Sequence, residues 1–288
     1  MTDEILQLKP NFHGVGVDLK ALWRRWRKPP RSPFEIAATR FVELFEQHGV
    51  AITQIPRLLP EINLSQLASP ANMLTALTDE VLEAASALFG VRREWLEGAS
   101  ERIYPLRHCY KSPHRFFEEL RSLAPPAMIL PVRAFTTDKH LDYRKWGSQR
   151  LELVLVERAG WLGDDEEIER YRPFSDGWEW GYERTRLELK AIVANYGHPV
   201  PLFQVSRKAM DALYSGEIFP RALLQGPLCT DPSLEDYCMP VSQNRQARET
   251  EELEEVAVYR KAIDAEPPSL LSRSQLQNGK RTEEVKSG

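Results

Sequence analysis

The sequence contains few cysteines and no long apolar run. Only three cysteines, Cys109, Cys229 and Cys238, occur in 288 residues. This odd number at wide spacing argues against a disulfide scaffold and favours a reducing compartment. No segment approaches the roughly 18 consecutive apolar residues of a membrane-spanning helix. The first residues carry acids, Asp3 and Glu4, where a signal peptide carries bases. These absences predict a cytoplasmic protein of bacterial type with no membrane segment.

The sequence also lacks the motifs of enzyme chemistry. It contains no nucleophile elbow, phosphate-binding glycine loop, zinc-protease helix or dinucleotide fingerprint. His108, Cys109 and His114 form its only cluster of histidine and cysteine, and the other two cysteines are too distant to complete a paired zinc motif. The carboxylates at 164–167 are consecutive, so they cannot all converge on one metal ion. We therefore expect no enzymatic activity, no metal and no cofactor.

Length and composition indicate about two globular domains and a tail. Hydrophobic residues make up 42% and charged residues 28% of the chain, which is typical of a folded protein. We divide the chain into a basic arm (1–31), a helical domain (32–104), an α+β domain (105–225) and a polar tail (226–288). The net charge of −4 gives no overall nucleic-acid signature, so such a role requires a local basic patch.

The arm contains such a patch. Between Leu19 and Phe34 there are six bases and no acid, interleaved with Trp23 and Trp26. The bases are Lys20, Arg24, Arg25, Arg27, Lys28 and Arg31. In one interpretation these side chains pair with DNA phosphates and release counterions. In the other, the two tryptophans pack on the next domain while the bases stay solvated. The sequence leaves both interpretations open.

The segment from Ser32 to Gly98 predicts a bundle of four or five short helices. Ser32 followed by Pro33 and Glu35 is a strong helix start. Further on, Thr78 caps the last long helix, and Gly90 ends it. Between them lie short helical segments at about 51–59, 64–67 and 71–77. The bundle makes residues 32–104 an all-helical domain.

This bundle resembles the Xre/Cro-like helix-turn-helix family, which has the lambda-repressor-like fold, over about residues 41–98. The resemblance is clearest in Ala87–Gly98, where an amphipathic helix stops at glycine and Trp95-Leu96 plugs the base of the bundle. It implies that residues 64–77 form the recognition region and that Gln66 and Asn72 contact base edges. However, residues 61–77 contain no Lys or Arg. DNA affinity would then come from the arm; alternatively, the bundle serves packing or dimerisation.

Residues 105–225 predict an α+β domain with a mainly antiparallel sheet. Arg150–Glu157 alternates as a strand, and Pro131 restricts the apolar strand at 127–135 to an edge position. Residues 185–193 also alternate as a strand, although a helix is compatible with them. The remaining elements are helices at 112–123 and 206–216 and a strand at 200–205. This order is compatible with a PAS- or GAF-like sensor module. The strands at 150–157 and 178–182 supply a sheet that can pair across a two-fold axis, so we expect this domain to mediate self-association or ligand sensing.

An aromatic group in this domain allows two interpretations. Its members are Trp161, Tyr171, Phe174, Trp178, Trp180 and Tyr182. They form either one face of the core or an apolar pocket. In the pocket interpretation, Trp178, Trp180 and Tyr182 contact a ligand, and Arg184 binds its anionic group together with Arg170 and Arg172.

The tail from residue 226 is polar, with an acidic helix near 249–263 and a disordered end. That helix is either a solvated element or a docking element for a protein partner. The whole sequence therefore predicts a multidomain α and α+β protein with an acidic, partly disordered tail. Its leading function is a homo-oligomeric, DNA-binding transcriptional regulator with a sensing or dimerisation domain. The alternative is a non-enzymatic interaction or scaffold protein that uses a degenerate helix-turn-helix bundle for docking.

Overall fold

The computed structural model describes residues 32–123, 130–163, 166–224, 234–238 and 254–261. The first helices are α1 (Pro33–Gln47), α2 (Ile55–Leu58), α3 (Pro70–Ala76), α4 (Asp79–Phe89) and α5 (Arg93–Leu96), with a 3-10 turn at Ile52–Gln54. The later helices are α6 (His114–Leu123), α7 (Glu183–Tyr196), α8 (Arg207–Tyr214), α9 (Pro220–Leu223) and α10 (Leu234–Cys238). The strands are β1 (Val132–Thr136), β2 (Arg150–Leu162), β3 (Glu166–Pro173), β4 (Trp178–Glu179) and β5 (Leu202–Gln204). None of the described helices is long and apolar enough to cross a membrane.

Local capping signals explain where the helices of the bundle begin and end. The Ser32 hydroxyl accepts a hydrogen bond from the Glu35 backbone N–H at 3.2 Å and caps α1. Thr78 caps α4 in the same way, and Gly90 ends that helix in a left-handed conformation with φ 67°. These predicted boundaries are confirmed. Within the region expected to be the recognition element, only Pro70–Ala76 is α-helical, because Ser69 and Pro70 supply a new helix start there.

The strands form one sheet in the order β3-β2-β1-β5, with β4 pairing the beginning of β2. Pairs β1–β2, β2–β3 and β2–β4 are antiparallel, and β1–β5 is parallel. The predicted fold class, helices followed by an α+β region with a mainly antiparallel sheet, is confirmed.

Two strand predictions are wrong in detail. Strand β1 is not an edge strand, because β2 and β5 flank it on both sides. Pro131 is compatible with this interior position because it lies just before the strand, where its carbonyl accepts a hydrogen bond from Val156 N–H at 2.8 Å. The aromatic strand expected at 178–182 is also shorter, because only Trp178–Glu179 forms a strand and pairs with β2.

Residues 185–193 belong to helix α7 and not to a strand. The residues that suggested alternation, such as Leu187 and Leu189, are buried, but so are intervening residues such as Arg186 and Glu188. Because α7 is surrounded by protein along most of its length, it lacks the polar face that identifies a surface helix in a sequence. Gly197, at φ 69°, ends the helix.

The two faces of the sheet belong to two different hydrophobic clusters. On β2, Leu153 and Leu155 pack with α6 and α7, whereas Val154 and Val156 pack with the helical bundle. The first of these clusters also takes in the described pieces of the tail, through Leu234, Cys238 and Val256. The second joins α1 and α4 to the sheet and to α8 and α9 in one continuous apolar core. The bundle is thus attached to the sheet by core packing.

Candidate interaction surfaces

The residues expected to contact DNA divide into two groups. The arm residues Arg24, Arg25, Arg27, Lys28 and Arg31 lie outside the described residues. Gln66 and Asn72 are described, and their amides make local hydrogen bonds. Gln66 Oε1 accepts from the Asn63 backbone N–H at 2.9 Å, and Asn72 Nδ2 donates to the Ser65 carbonyl at 3.1 Å. These contacts hold the turn before α3 in place and occupy polar atoms that base reading would need.

The chain segment that contains these two amides has no charged side chain. Residues 62–78 are the longest stretch of the sequence without Asp, Glu, Lys or Arg. Seven of the described side chains between 63 and 75 are exposed, namely Asn63, Leu64, Ser65, Ala68, Ala71, Asn72 and Thr75. We call these seven residues the uncharged surface. Leu64 is its largest apolar side chain, with 55% of its area exposed.

The aromatic residues expected to contact a ligand are divided between core and surface. Trp178 and Trp180 are buried in the cluster that contains α7. Tyr182 and Arg184 are exposed, and the Arg184 guanidinium pairs with Glu188 at 3.4 Å. The structure therefore does not place these four residues on one common surface.

The other two arginines proposed for an anionic ligand pair with carboxylates of the protein. Arg170 binds both oxygens of Glu157, at 2.6 and 2.7 Å, and Arg172 Nε binds the same carboxylate at 2.9 Å. Burial alone would raise the pKa of Glu157, but the hydrogen bonds from the two guanidinium groups outweigh it and lower that pKa. Arg170 also donates to the Ala87 carbonyl at 3.1 Å and so links β3 to the end of α4.

The histidine and cysteine cluster has a structural arrangement that the sequence did not reveal. Asp176, which is fully buried, accepts hydrogen bonds from the backbone N–H groups of Cys109 and Tyr110, both at 2.9 Å. The Cys109 thiol donates to the same carboxylate at 3.1 Å. Burial raises the pKa of this thiol well above its usual value, and the nearby Asp176 charge adds to the effect. A protonated, buried thiol is a poor nucleophile, and the described residues contain no group of three or more potential metal ligands.

A cleft of about 320 Å³ lies beside α1. We call it the α1 cleft. Its lining includes Arg40, Glu43, Trp95, Glu101, Glu217 and Phe219. Arg40 donates to the Trp95 carbonyl at 2.7 Å, to the Ser100 carbonyl at 2.6 Å and to Glu101 at 2.7 Å. The Arg40 guanidinium is thus hydrogen-bonded to groups of the cleft itself. Because three carboxylates and one guanidinium line the cleft, its described lining is acidic. No local sequence pattern indicates this cleft, because its lining comes from three distant segments.

Comparison with family models, with curated proteins and with solved structures gives no match for this chain.

Proposed function

We propose that this protein is a non-enzymatic interaction protein that docks through the uncharged surface of its helical bundle. The observation that carries the proposal is the exposure of Leu64 amid neutral neighbours in a chain where 28% of residues are charged. Charged residues are depleted from the centres of protein interfaces, whereas a DNA-reading surface needs bases near the phosphates. The amide contacts of Gln66 and Asn72 hold this surface in one conformation and so reduce the entropy lost on docking.

The partner proposed for this surface is a second copy of the chain. In a two-fold interface the same surface faces itself, so each charge near the axis meets its own copy and repels it. A surface without charge avoids this cost. Leu64 would then supply the apolar contact at the centre, where interface energies are concentrated.

The oligomeric state in solution tests the proposal. Wild-type protein is expected to show the mass of a dimer by light scattering, and Leu64→Asp is expected to be monomeric because each interface would then bury two opposed carboxylates. Val258→Asp is the matched control, since Val258 is also apolar and 67% exposed but lies in the helical segment 254–261. A wild-type monomer at high micromolar concentration, or equal masses for wild type and Leu64→Asp, would contradict self-association through this surface.

A second candidate function is DNA binding by a regulator. The observation that favours it is the run of six bases without an acid in the arm. In this candidate, Arg24, Arg25, Arg27 and Lys28 supply phosphate contacts and the bundle contributes little to base reading. Binding to duplex DNA at several salt concentrations distinguishes it from the first candidate.

A further inference from the structure

We infer that the α1 cleft is the docking site for the basic part of the chain's own arm, residues 20–31. This inference does not depend on the uncharged surface or its partner. The cleft and these residues of the arm are complementary in both charge and apolar character.

The first observation is the charge of the cleft. Glu43, Glu101 and Glu217 line it, and Arg40 is the one base among the lining residues that the structure describes. The Arg40 side chain is only 12% exposed, and its guanidinium donates to two backbone carbonyls and to Glu101. Glu101 is 80% exposed at its side chain and is the carboxylate that Arg40 pairs with, so three carboxylates against one guanidinium leave these lining residues with a net negative charge. A cationic occupant fits this lining better than a neutral or anionic one.

The second observation is the apolar part of the lining. The rings of Trp95 and Phe219 contact each other edge to face, with centroids 5.5 Å apart, and the half-buried Ile218 and exposed Ala222 lie beside them. A site with an apolar base and an acidic rim suits a segment that carries both aromatic rings and bases. Residues 20–31 have this composition, with Trp23 and Trp26 among six bases. Aromatic and arginine side chains are also the residues that most often anchor protein interfaces.

The third observation is reach. Arg40, Glu43 and Gln47 lie on one face of α1, so the cleft follows the helix axis away from Ser32. From Ser32 to the level of Gln47 the helix rises about 23 Å at 1.5 Å per residue. Twelve residues span up to about 40 Å when extended, so a chain that turns back at Pro29-Pro30 is long enough to follow the whole cleft. No partner molecule is required to bring the two together.

Zero-length cross-linking of the full-length protein tests the inference directly. A carbodiimide joins a lysine amine to a carboxylate only when the two are in contact. We expect links from Lys20 or Lys28 to Glu43, Glu101 or Glu217, within one molecule. Mixing isotopically light and heavy protein separates these links from links between molecules. The links should weaken at high salt, which screens the attraction, and in Trp26→Ala, which removes an aromatic contact. Lys145 is the internal control, because it lies beside Gly181 near the other core cluster.

Limited trypsin digestion supplies a second readout that does not depend on lysine. Cleavage after Arg24, Arg25 and Arg27 should be about tenfold faster in Glu43→Gln/Glu217→Gln, because cleavage follows the fraction of molecules with an undocked arm. The matched control is Glu61→Gln/Glu183→Gln, which makes the same charge change at two exposed sites outside the cleft. Equal melting temperatures exclude a folding defect. Links formed only between molecules, no links from Lys20 or Lys28, or equal cleavage rates in the cleft and control variants would each overturn the inference.

Discussion

His48 is a titratable side chain buried where the bundle packs against the sheet. Its ring centroid lies 4.1 Å from that of Phe89, 5.8 Å from Tyr171 and 5.7 Å from Phe219. Its Nδ1 is 2.7 Å from the Leu44 carbonyl, which fits an N–H donor at that position, and Nε2 is buried without a hydrogen-bond partner in the described structure. Burial lowers the pKa of His48 from 6.5 to about 4.

This lowered pKa makes stability depend on pH in a defined window. Below pH 6.5 the unfolded chain binds a proton at His48, whereas the folded protein binds it only near pH 4. Stability present above pH 6.5 is therefore lost as the pH falls towards 4, and this histidine contributes about 3 kcal/mol of the loss. Urea unfolding at pH 7 and pH 4.5 measures it. The control is His48→Gln, which still offers an N–H donor but cannot titrate. An equally steep fall in the free energy of unfolding of this variant would assign the effect to carboxylates instead.

Trp95 is the residue that the resemblance to the helix-turn-helix family leads us to expect at the base of the bundle. It is 4% exposed and contacts Phe219 on one side, and the Arg40 guanidinium lies 5.4 Å from its ring centroid. Trp95→Ala is expected to lower the free energy of unfolding by about 3 to 5 kcal/mol, as for other buried aromatic truncations. The matched control is Trp146→Ala, because Trp146 is 72% exposed. Thermal melting of the full chain decides it, and equal melting temperatures for the two variants would contradict the burial of Trp95.

At the element scale, Arg170 shows how β3 and α4 are held together. It joins Glu157, on the neighbouring strand, to the carbonyls of Ala87 and Leu88 at the end of α4. A cation at this end of a helix also interacts favourably with the helix dipole. The link therefore couples the last long helix of the bundle to the sheet by charge as well as by apolar packing.

Removing this link is expected to destabilise the protein more than removing an exposed ion pair. Arg170→Gln should cost about 2 kcal/mol, because it leaves the buried Glu157 carboxylate with Arg172 as its remaining partner. Arg158→Gln is the control on the same hairpin. Its pair with Glu167 is 3.8 Å long and exposed, and such pairs contribute less than about 1 kcal/mol. The midpoints of urea unfolding compare the two. Equal shifts would mean that Arg170 contributes no more than a surface charge.

The elements that the sequence predicted correctly are those determined by neighbouring residues. Ser32, Thr78 and Gly90 act within one helical turn, so their effect is visible in the sequence. The sequence did not distinguish helix α7 from a strand, because both sets of its alternating residues are buried by tertiary packing. The contact between Asp176 and Cys109 spans 67 residues, and the α1 cleft joins three separate segments. No local pattern can indicate such contacts.

At the scale of the whole molecule, the bundle and the sheet share one hydrophobic core. Phe41, Phe45 and Phe89 of the bundle belong to the same buried cluster as Tyr171 and Phe203 of the sheet. A small bundle that completes its core on a neighbouring sheet presents fewer faces to a nucleic acid or protein. Two surfaces that the described residues of the bundle leave accessible are the uncharged surface and the α1 cleft, and we expect interactions at both.

The bases of the arm can pair either with the carboxylates of the α1 cleft or with DNA phosphates. Docking of the arm and DNA binding are therefore expected to compete. If DNA is a partner, neutralising Arg24, Arg25, Arg27 and Lys28 to glutamine should flatten the dependence of log affinity on log salt. The slope should fall by up to about 3 to 4, at roughly 0.9 per phosphate contact. The control is Lys139→Gln/Lys145→Gln, at two exposed bases elsewhere, which should leave the slope unchanged.

Glu43→Gln/Glu217→Gln should raise affinity for duplex DNA, because a cleft with fewer carboxylates competes less well for the arm. Negligible affinity at low salt, or an unchanged slope in the four-residue variant, would remove DNA as a candidate partner.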